Sequence, residues 1–272
     1  MNLELNQHIW SQFETFPTND RVIFLGASNL SRSFPTAVSI ARATLRAPLS
    51  IHVAMGPGRS YGNESGFLRK KFPKIFSCGV WQSLRQENVD RTVAFVTDVG
   101  NDLGYEVPVE TILDWVTTCV DQLQIYHAKV VITALPIAVL ERLSQVKFRV
   151  LRGLLFPTCR LTQTDLLDRA HQLNSGLEEL TKSKNTSIFT VPIAWYGFDP
   201  IHPHMRHMTQ FWRELFTLVG CSGIVSIRSR NSLILNSYLR CLTPPNSRCA
   251  SSNEEHPIKR IQLFDGTRIS LY

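Results

Sequence analysis

No apolar run in this chain reaches the roughly 18 residues that a membrane-crossing helix needs. There is no CxxC pair among its six cysteines (Cys78, Cys119, Cys159, Cys221, Cys241, Cys249), so the spacing excludes a common zinc or redox motif and fits reduced thiols, some of them buried. The opening stretch, MNLELNQHIWSQFETF, lacks a basic segment followed by an apolar one, so a secretory signal is not expected and the default compartment is the cytoplasm. Basic residues interleaved with aromatics are missing too, which argues against nucleic acid as a partner. GASNL (26–30) is not the GxSxG elbow of the α/β-hydrolases, because position 30 is leucine, and the GxxxxGK[ST] spacing of a phosphate-binding P-loop is absent. No internal repeat is present.

What is there is an ordinary globular composition of 272 residues, 43% hydrophobic and 19% charged, enough for one large core. The net charge is +7, and from Ser222 onward seven basic residues stand against three acidic ones, so more than half the surplus lies in the last fifth. A solvated tail explains that best, although a basic tail also favours an acidic partner. Apolar, β-branched runs at 21–26, 49–56, 92–100, 129–135 and 187–193 read as strands buried on both faces. Helix-length segments at 30–45, about 64–76, 107–127, 140–154, 162–182 and roughly 204–219 separate or follow them. Strand and helix in alternation predict a five-stranded parallel sheet covered on both sides. Residues 1–220 are expected to form this domain. Residues 221–272 are expected to be an extension, a Ser/Asn/Pro-rich linker ending in a hairpin with a type I′ turn at Asp265-Gly266.

In such sheets chemistry gathers at the carboxyl ends of the strands. Gly26-Ala27-Ser28-Asn29 ends the first run and GPGRSYG (56–62) the second. DVGND (98–102) ends the third, and DPIHP (199–203) follows the fifth. Ser28 alone is read most simply as a helix cap; with a base in reach it is a nucleophile. Asp199 and His202, three apart with proline between and after, can fold back so that the carboxylate orients the imidazole. His204 and His207 extend this to His-x-His-x-x-His, but no obvious carboxylate or cysteine completes a metal set, so no metal is expected. Asn101 fits a turn or an amide donor to an oxyanion.

The set Ser, Gly, Asn, Asp-x-x-His in this chain order resembles the SGNH, or GDSL-type, hydrolase family over about residues 20–217. The resemblance implies a flavodoxin-like, three-layer α/β/α fold and a hydrolase acting on a small acyl ester or thioester without metal or organic cofactor. It casts Ser28 as nucleophile, His202 as base and Asp199 as its orienting acid. The oxyanion hole would come from the N–H groups of Ser28 and Gly58 and the side chain of Asn101, with Gly58 favoured over Gly56 and Gly62. Two departures stand out: Ala27 replaces the aspartate usual before the serine, and Val99 precedes Gly100 where Gly-x-Asn-Asp is usual. Arg59 and Tyr61, in the second loop, are candidate substrate contacts. A non-catalytic protein keeping this shell is the main alternative, and nucleotide binding at Gly56-x-Gly58-x-x-x-Gly62 a further one. The sequence names neither the acyl group nor the oligomeric state.

Overall fold

The structure, a computed structural model, describes residues 20–45, 47–67, 70–87, 89–184, 186–223, 231–242 and 258–272. Its frame is β1 (Asp20–Leu25), β2 (Leu49–Ala54), β3 (Arg91–Val96), β4 (Lys129–Thr133) and β5 (Thr186–Phe189), close to the five expected runs. The order β5-β4-β3-β1-β2, parallel throughout, is flavodoxin-like. Alternate residues of one strand serve opposite cores. Val22 and Phe24 belong to one apolar cluster, Ile23 and Leu25 to the other. That is why β1 reads as an unbroken apolar run.

Helices α1 (Ser28–Thr44), α5 (Met208–Leu218) and α6 (Asn231–Arg240) cover one face. There Phe24, Phe95 and Trp212 stack edge and face, and the buried Trp212 indole donates to Ser33 Oγ at 3.0 Å. Helices α2 (Val109–Gln124) and α4 (Gln163–Ser183) cover the other face through Ile112, Val116, Leu173 and Leu177. α4 starts on a reciprocal cap: Thr162 Oγ1 accepts from the Asp165 N–H and Asp165 Oδ2 from the Thr162 N–H, both at 3.1 Å. The remaining long helix, α3 (Gln145–Leu155), buries only Phe148 among its side chains. The result is a three-layer α/β/α structure. Among the described residues no helix is long and apolar enough to cross a membrane.

Two expectations are corrected. The segment at about 64–76 is not a helix. It forms a small antiparallel ribbon, Ser65–Phe67 with Lys70–Phe72, followed by a 3₁₀ turn at Ile75–Ser77. Pro73 lies between them and cannot donate a helical N–H. The second correction concerns the hairpin. Its strands, β6 (Lys259–Gln262) and β7 (Arg268–Leu271), are present, but the turn is wider than type I′. The Gly266 N–H donates to Leu263 O, the Leu263 N–H to Thr267 O, and Gly266 sits at φ 81°. This is a type I turn closed by a left-handed glycine. The hairpin also extends the main sheet: β7 pairs parallel with β2, Ser50 opposite Arg268, giving seven strands in all. Helix α6 falls in a stretch read from sequence as linker. Cys78, Cys119, Cys159 and Cys221 are buried free thiols, and burial pushes those of Cys78 and Cys119 up, away from the reactive thiolate.

Candidate active site

β1 is flanked by β3 and β2, so the loop carrying Ser28 sits between the loop carrying Asn101 and the loop carrying Gly58. Ser28 is the first residue of α1, directly after the strand. Its Oγ lies 2.9 Å from His202 Nε2. His202 Nδ1 lies 2.7 Å from Asp199 Oδ2. Asp199 Oδ1 accepts the Ile201 and His202 N–H groups at 2.9 and 3.2 Å, the local turn that DPIHP was expected to make. Burial alone would raise the Asp199 carboxyl. The His202 ring and these two N–H groups outweigh it and hold the acid at about 2. A carboxylate fixed at Nδ1 puts the ring proton there and leaves Nε2 as acceptor for the Ser28 hydroxyl. Arg32 Nη1 stands 3.7 Å from Asp199 Oδ2, both side chains half-exposed.

Ala27 leaves no carboxylate beside the serine, yet the turn is held. Asp98, at the end of β3, reaches across and accepts from the Ala27 N–H at 2.8 Å. It also accepts from the Asn29 and Leu30 N–H groups at 3.1 and 3.3 Å and from Thr97 Oγ1 at 2.9 Å. It satisfies the orphan donors of the α1 N-terminus and skips Ser28, whose own N–H has no partner among the described residues. Asp98 adopts φ 63°, uncommon for a residue with a Cβ. Sequence reasoning passed over this residue. The available signal was an aspartate ending the neighbouring strand, together with a missing one at position 27.

The glycines of the second loop differ in what constrains them, and a Cβ on any of the three would meet a side chain within 3 Å. A Cβ on Gly56 would meet the Phe72 ring at 2.7 Å and one on Gly62 the Trp115 ring at 2.0 Å, so packing accounts for both. Gly58 turns with φ 67°, and its N–H is engaged by nothing described. Its carbonyl accepts from Tyr105 Oη at 2.6 Å. In the third loop the Asn101 Nδ2 is buried and has no hydrogen-bond partner among the described residues. An unsatisfied buried donor costs about 1–3 kcal/mol, which is how an amide awaiting an oxyanion would look. Next to it Asp102 is buried, and burial pushes its carboxyl up to about 6 despite bonds from Ser60 Oγ and the Tyr61 N–H. Asp102 thereby anchors the second loop to the third.

Arg59 and Tyr61 are not where a substrate could touch them. Arg59 is 0% exposed and donates to the Met55, Pro73 and Tyr272 carbonyls at 3.2, 3.1 and 2.6 Å. Tyr61 is fully buried and donates from Oη to Thr97 O and Leu25 O at 2.7 and 3.2 Å. Both brace the loops from beneath. Nor do the later histidines gather round a metal. His207 stacks on Trp195 with ring centroids 5.5 Å apart, and no group of three metal-ligating side chains occurs among the described residues. Beside the Ser28 turn lies an apolar cleft of about 160 Å³, the size of cavities that accept a benzene ring. Asn29, Asn101 and Ile201 line it together with Phe148, Leu151 and Phe156.

No family model matches the chain, and no curated protein does. Solved structures do. One is the psychrotrophic esterase EstA from Pseudoalteromonas sp., in a form inhibited by monoethylphosphonate, at 12% identity and TM-score 0.41, covering 73% of this chain and 95% of that one. Another, assigned as a lipolytic protein of G-D-S-L family from Desulfitobacterium hafniense DCB-2, has 12% identity and TM-score 0.45 over 74% and 99%. A third, assigned as a platelet activating factor from Streptococcus pneumonia, has 13% identity and TM-score 0.46 over 79% and 89%.

Proposed function

We propose that the chain is a serine acyl hydrolase of the SGNH, GDSL-type kind, working on an ester or thioester in a cytoplasmic setting and needing no cofactor. The observation that carries this is the relay from Ser28 Oγ through both nitrogens of His202 to Asp199, at 2.9 and 2.7 Å. In this reading Ser28 Oγ attacks the acyl carbonyl and His202 Nε2 takes its proton. The carbonyl π-electrons move onto oxygen, which is met by donors with no other partner among the described residues: the Ser28 N–H, the Gly58 N–H and Asn101 Nδ2. Collapse breaks the bond to the leaving alcohol or thiol, which receives the proton from His202. Water, deprotonated by the same nitrogen, then attacks the acyl-serine, and Ser28 recovers its proton as the acid leaves. Asp199 stays ionised throughout, in keeping with a carboxyl held at about 2.

A fluorophosphonate probe tests the reading directly. Wild-type protein is expected to be labelled at Ser28 and to hydrolyse p-nitrophenyl butyrate. Ser28→Ala is expected to lose both, and His202→Gln to lose nearly all of both, with circular dichroism unchanged. Labelling that survives in Ser28→Ala, or a wild type inert to probe and ester alike, overturns it in favour of a non-catalytic shell.

A further inference from the structure

The wall between the apolar cleft and solvent is unusual on its outer side. α3 reads QVKFRVLRGLL. Its Phe148 and Leu151 line the cleft. Val146, Val150 and Leu154 are spaced i, i+4, i+8, so they share one face of the helix, and they are 72%, 64% and 72% exposed. Phe198, 82% exposed, lies against the same helix, with Lys147 Nζ 4.1 Å from its ring centroid. Three large apolar side chains on one helix face and a fourth held against that helix through Lys147 stand out against the single scattered ones of an ordinary surface. The surroundings are basic: residues 140–160 hold Arg142, Lys147, Arg149, Arg152 and Arg160 against one acid, Glu141. That glutamate is 3.4 Å from His171. Arg142, Arg149 and Arg160 are exposed.

We propose that α3 and Phe198 seat the protein on an anionic lipid surface, and that the cleft behind α3 receives an acyl chain from an ester carried in that surface. An apolar stripe with cations around it matches an interfacial helix, which lies in the headgroup plane and inserts only its apolar side chains. The charge fits a membrane face rich in anionic phospholipid, where each nearby Lys or Arg strengthens attachment. The two sides of α3 then divide the work. Val146, Val150 and Leu154 meet lipid, while Phe148 and Leu151 form the wall along which the chain enters. The substrate class follows: a lipid ester with an extended acyl chain rather than an acetylated sugar. This substrate assignment rests on the acyl-hydrolase reading; the docking face does not.

Docking is measured first on full-length Ser28→Ala, by co-sedimentation with vesicles of phosphatidylcholine containing about one-third phosphatidylglycerol. The expected result is binding that falls at least about tenfold on pure phosphatidylcholine, or on raising salt from 0.05 to about 0.5 M. Val150→Glu with Leu154→Glu is expected to reduce vesicle binding at least about tenfold, with p-nitrophenyl acetate hydrolysis unchanged in the Ser28 background. That retained hydrolysis also reports an intact fold. If the double substitution unfolds the chain, Arg149→Glu is read instead, for a several-fold loss on anionic vesicles alone. Absence of vesicle binding, or binding indifferent to these substitutions, overturns the docking face. So does a protein dimer in sedimentation velocity that the double substitution dissociates, since the stripe is then a contact between copies. Vesicle binding by a wild type that hydrolyses no ester leaves docking standing and removes the hydrolase reading. Hydrolysis of p-nitrophenyl acetate faster than of the octanoate on lipid vesicles removes the substrate assignment alone.

Discussion

Two serine–histidine–carboxylate groups occur among the described residues, and they differ in how the histidine ring is engaged. In the first, each ring nitrogen of His202 has its own partner, Asp199 on Nδ1 and Ser28 on Nε2. In the second, on β2, His52 Nε2 faces Ser50 Oγ at 3.0 Å and Glu87 Oε2 at 3.1 Å together, while Nδ1 faces Tyr272 Oη at 2.7 Å. Ser50 Oγ donates to the same Glu87 oxygen at 2.6 Å. With a carboxylate accepting at Nε2, that nitrogen carries the proton and has no lone pair for a serine. The His202 side chain is 15% exposed beside a cleft; that of His52 is 2% exposed inside the sheet. The same three residue types thus make a relay through both ring nitrogens or a clasp on one of them, according to which nitrogen the carboxylate takes.

The sharpest way to break this contrast is to swap each carboxylate for its amide. Asp199→Asn is expected to lower kcat on p-nitrophenyl butyrate by about 10⁴, because the amide stabilises the wrong tautomer. Glu87→Gln is expected to leave kcat within about twofold, since steady-state rates report the relay and not the clasp. Equal losses would abolish the distinction. Next in size, Asn101→Ala is expected to lower kcat about 10²–10³-fold with little change in KM, as loss of an oxyanion donor does. An unchanged kcat removes Asn101 from the mechanism.

The smallest expected effect concerns stability against pH and belongs to the clasp. Burial opposes ionisation of Glu87, but bonds from His52 and Ser50 and the nearby Arg268 outweigh it and hold the acid at about 2, against an ordinary 4.5. A carboxyl lower in the folded state stabilises it above its unfolded value. That contribution, of order 3 kcal/mol, is lost as pH falls from about 4.5 towards 2. Asp102, pushed up by burial to about 6, acts with the opposite sign and costs stability as pH rises from about 4 to 6. Urea midpoints measured from pH 2.5 to 7 are expected to show a steep acid limb in the wild type and a flatter one in Glu87→Gln. An identical limb in both would show that Glu87 is not held down by its neighbours.

Ser28, Asn101, Asp199 and His202 were legible because strand ends are punctuated in sequence, by a glycine after an apolar run or by proline around an Asp-x-x-His. The brace of the Ser28 turn was not, since Asp98 acts from 71 residues away, at the end of the neighbouring strand. Arg59 misled for a related reason. Charge in a loop suggests solvent, and only the three-dimensional fold brings the Tyr272 carbonyl to it from 213 residues on. The ribbon at 65–72 was mistaken for a helix because a short turn with mixed polarity has no period of its own.

The tie between Arg59 and Tyr272 also has a consequence in time. β2 is made long before β7, yet they lie side by side, and the loop beyond β2 leans on the residue just after β7. A ribosome therefore adds 213 residues after Arg59 before that neighbour exists. Contacts so remote along the chain close slowly, and a nascent copy interrupted before residue 268 would carry Ser28 on a scaffold with one flank open.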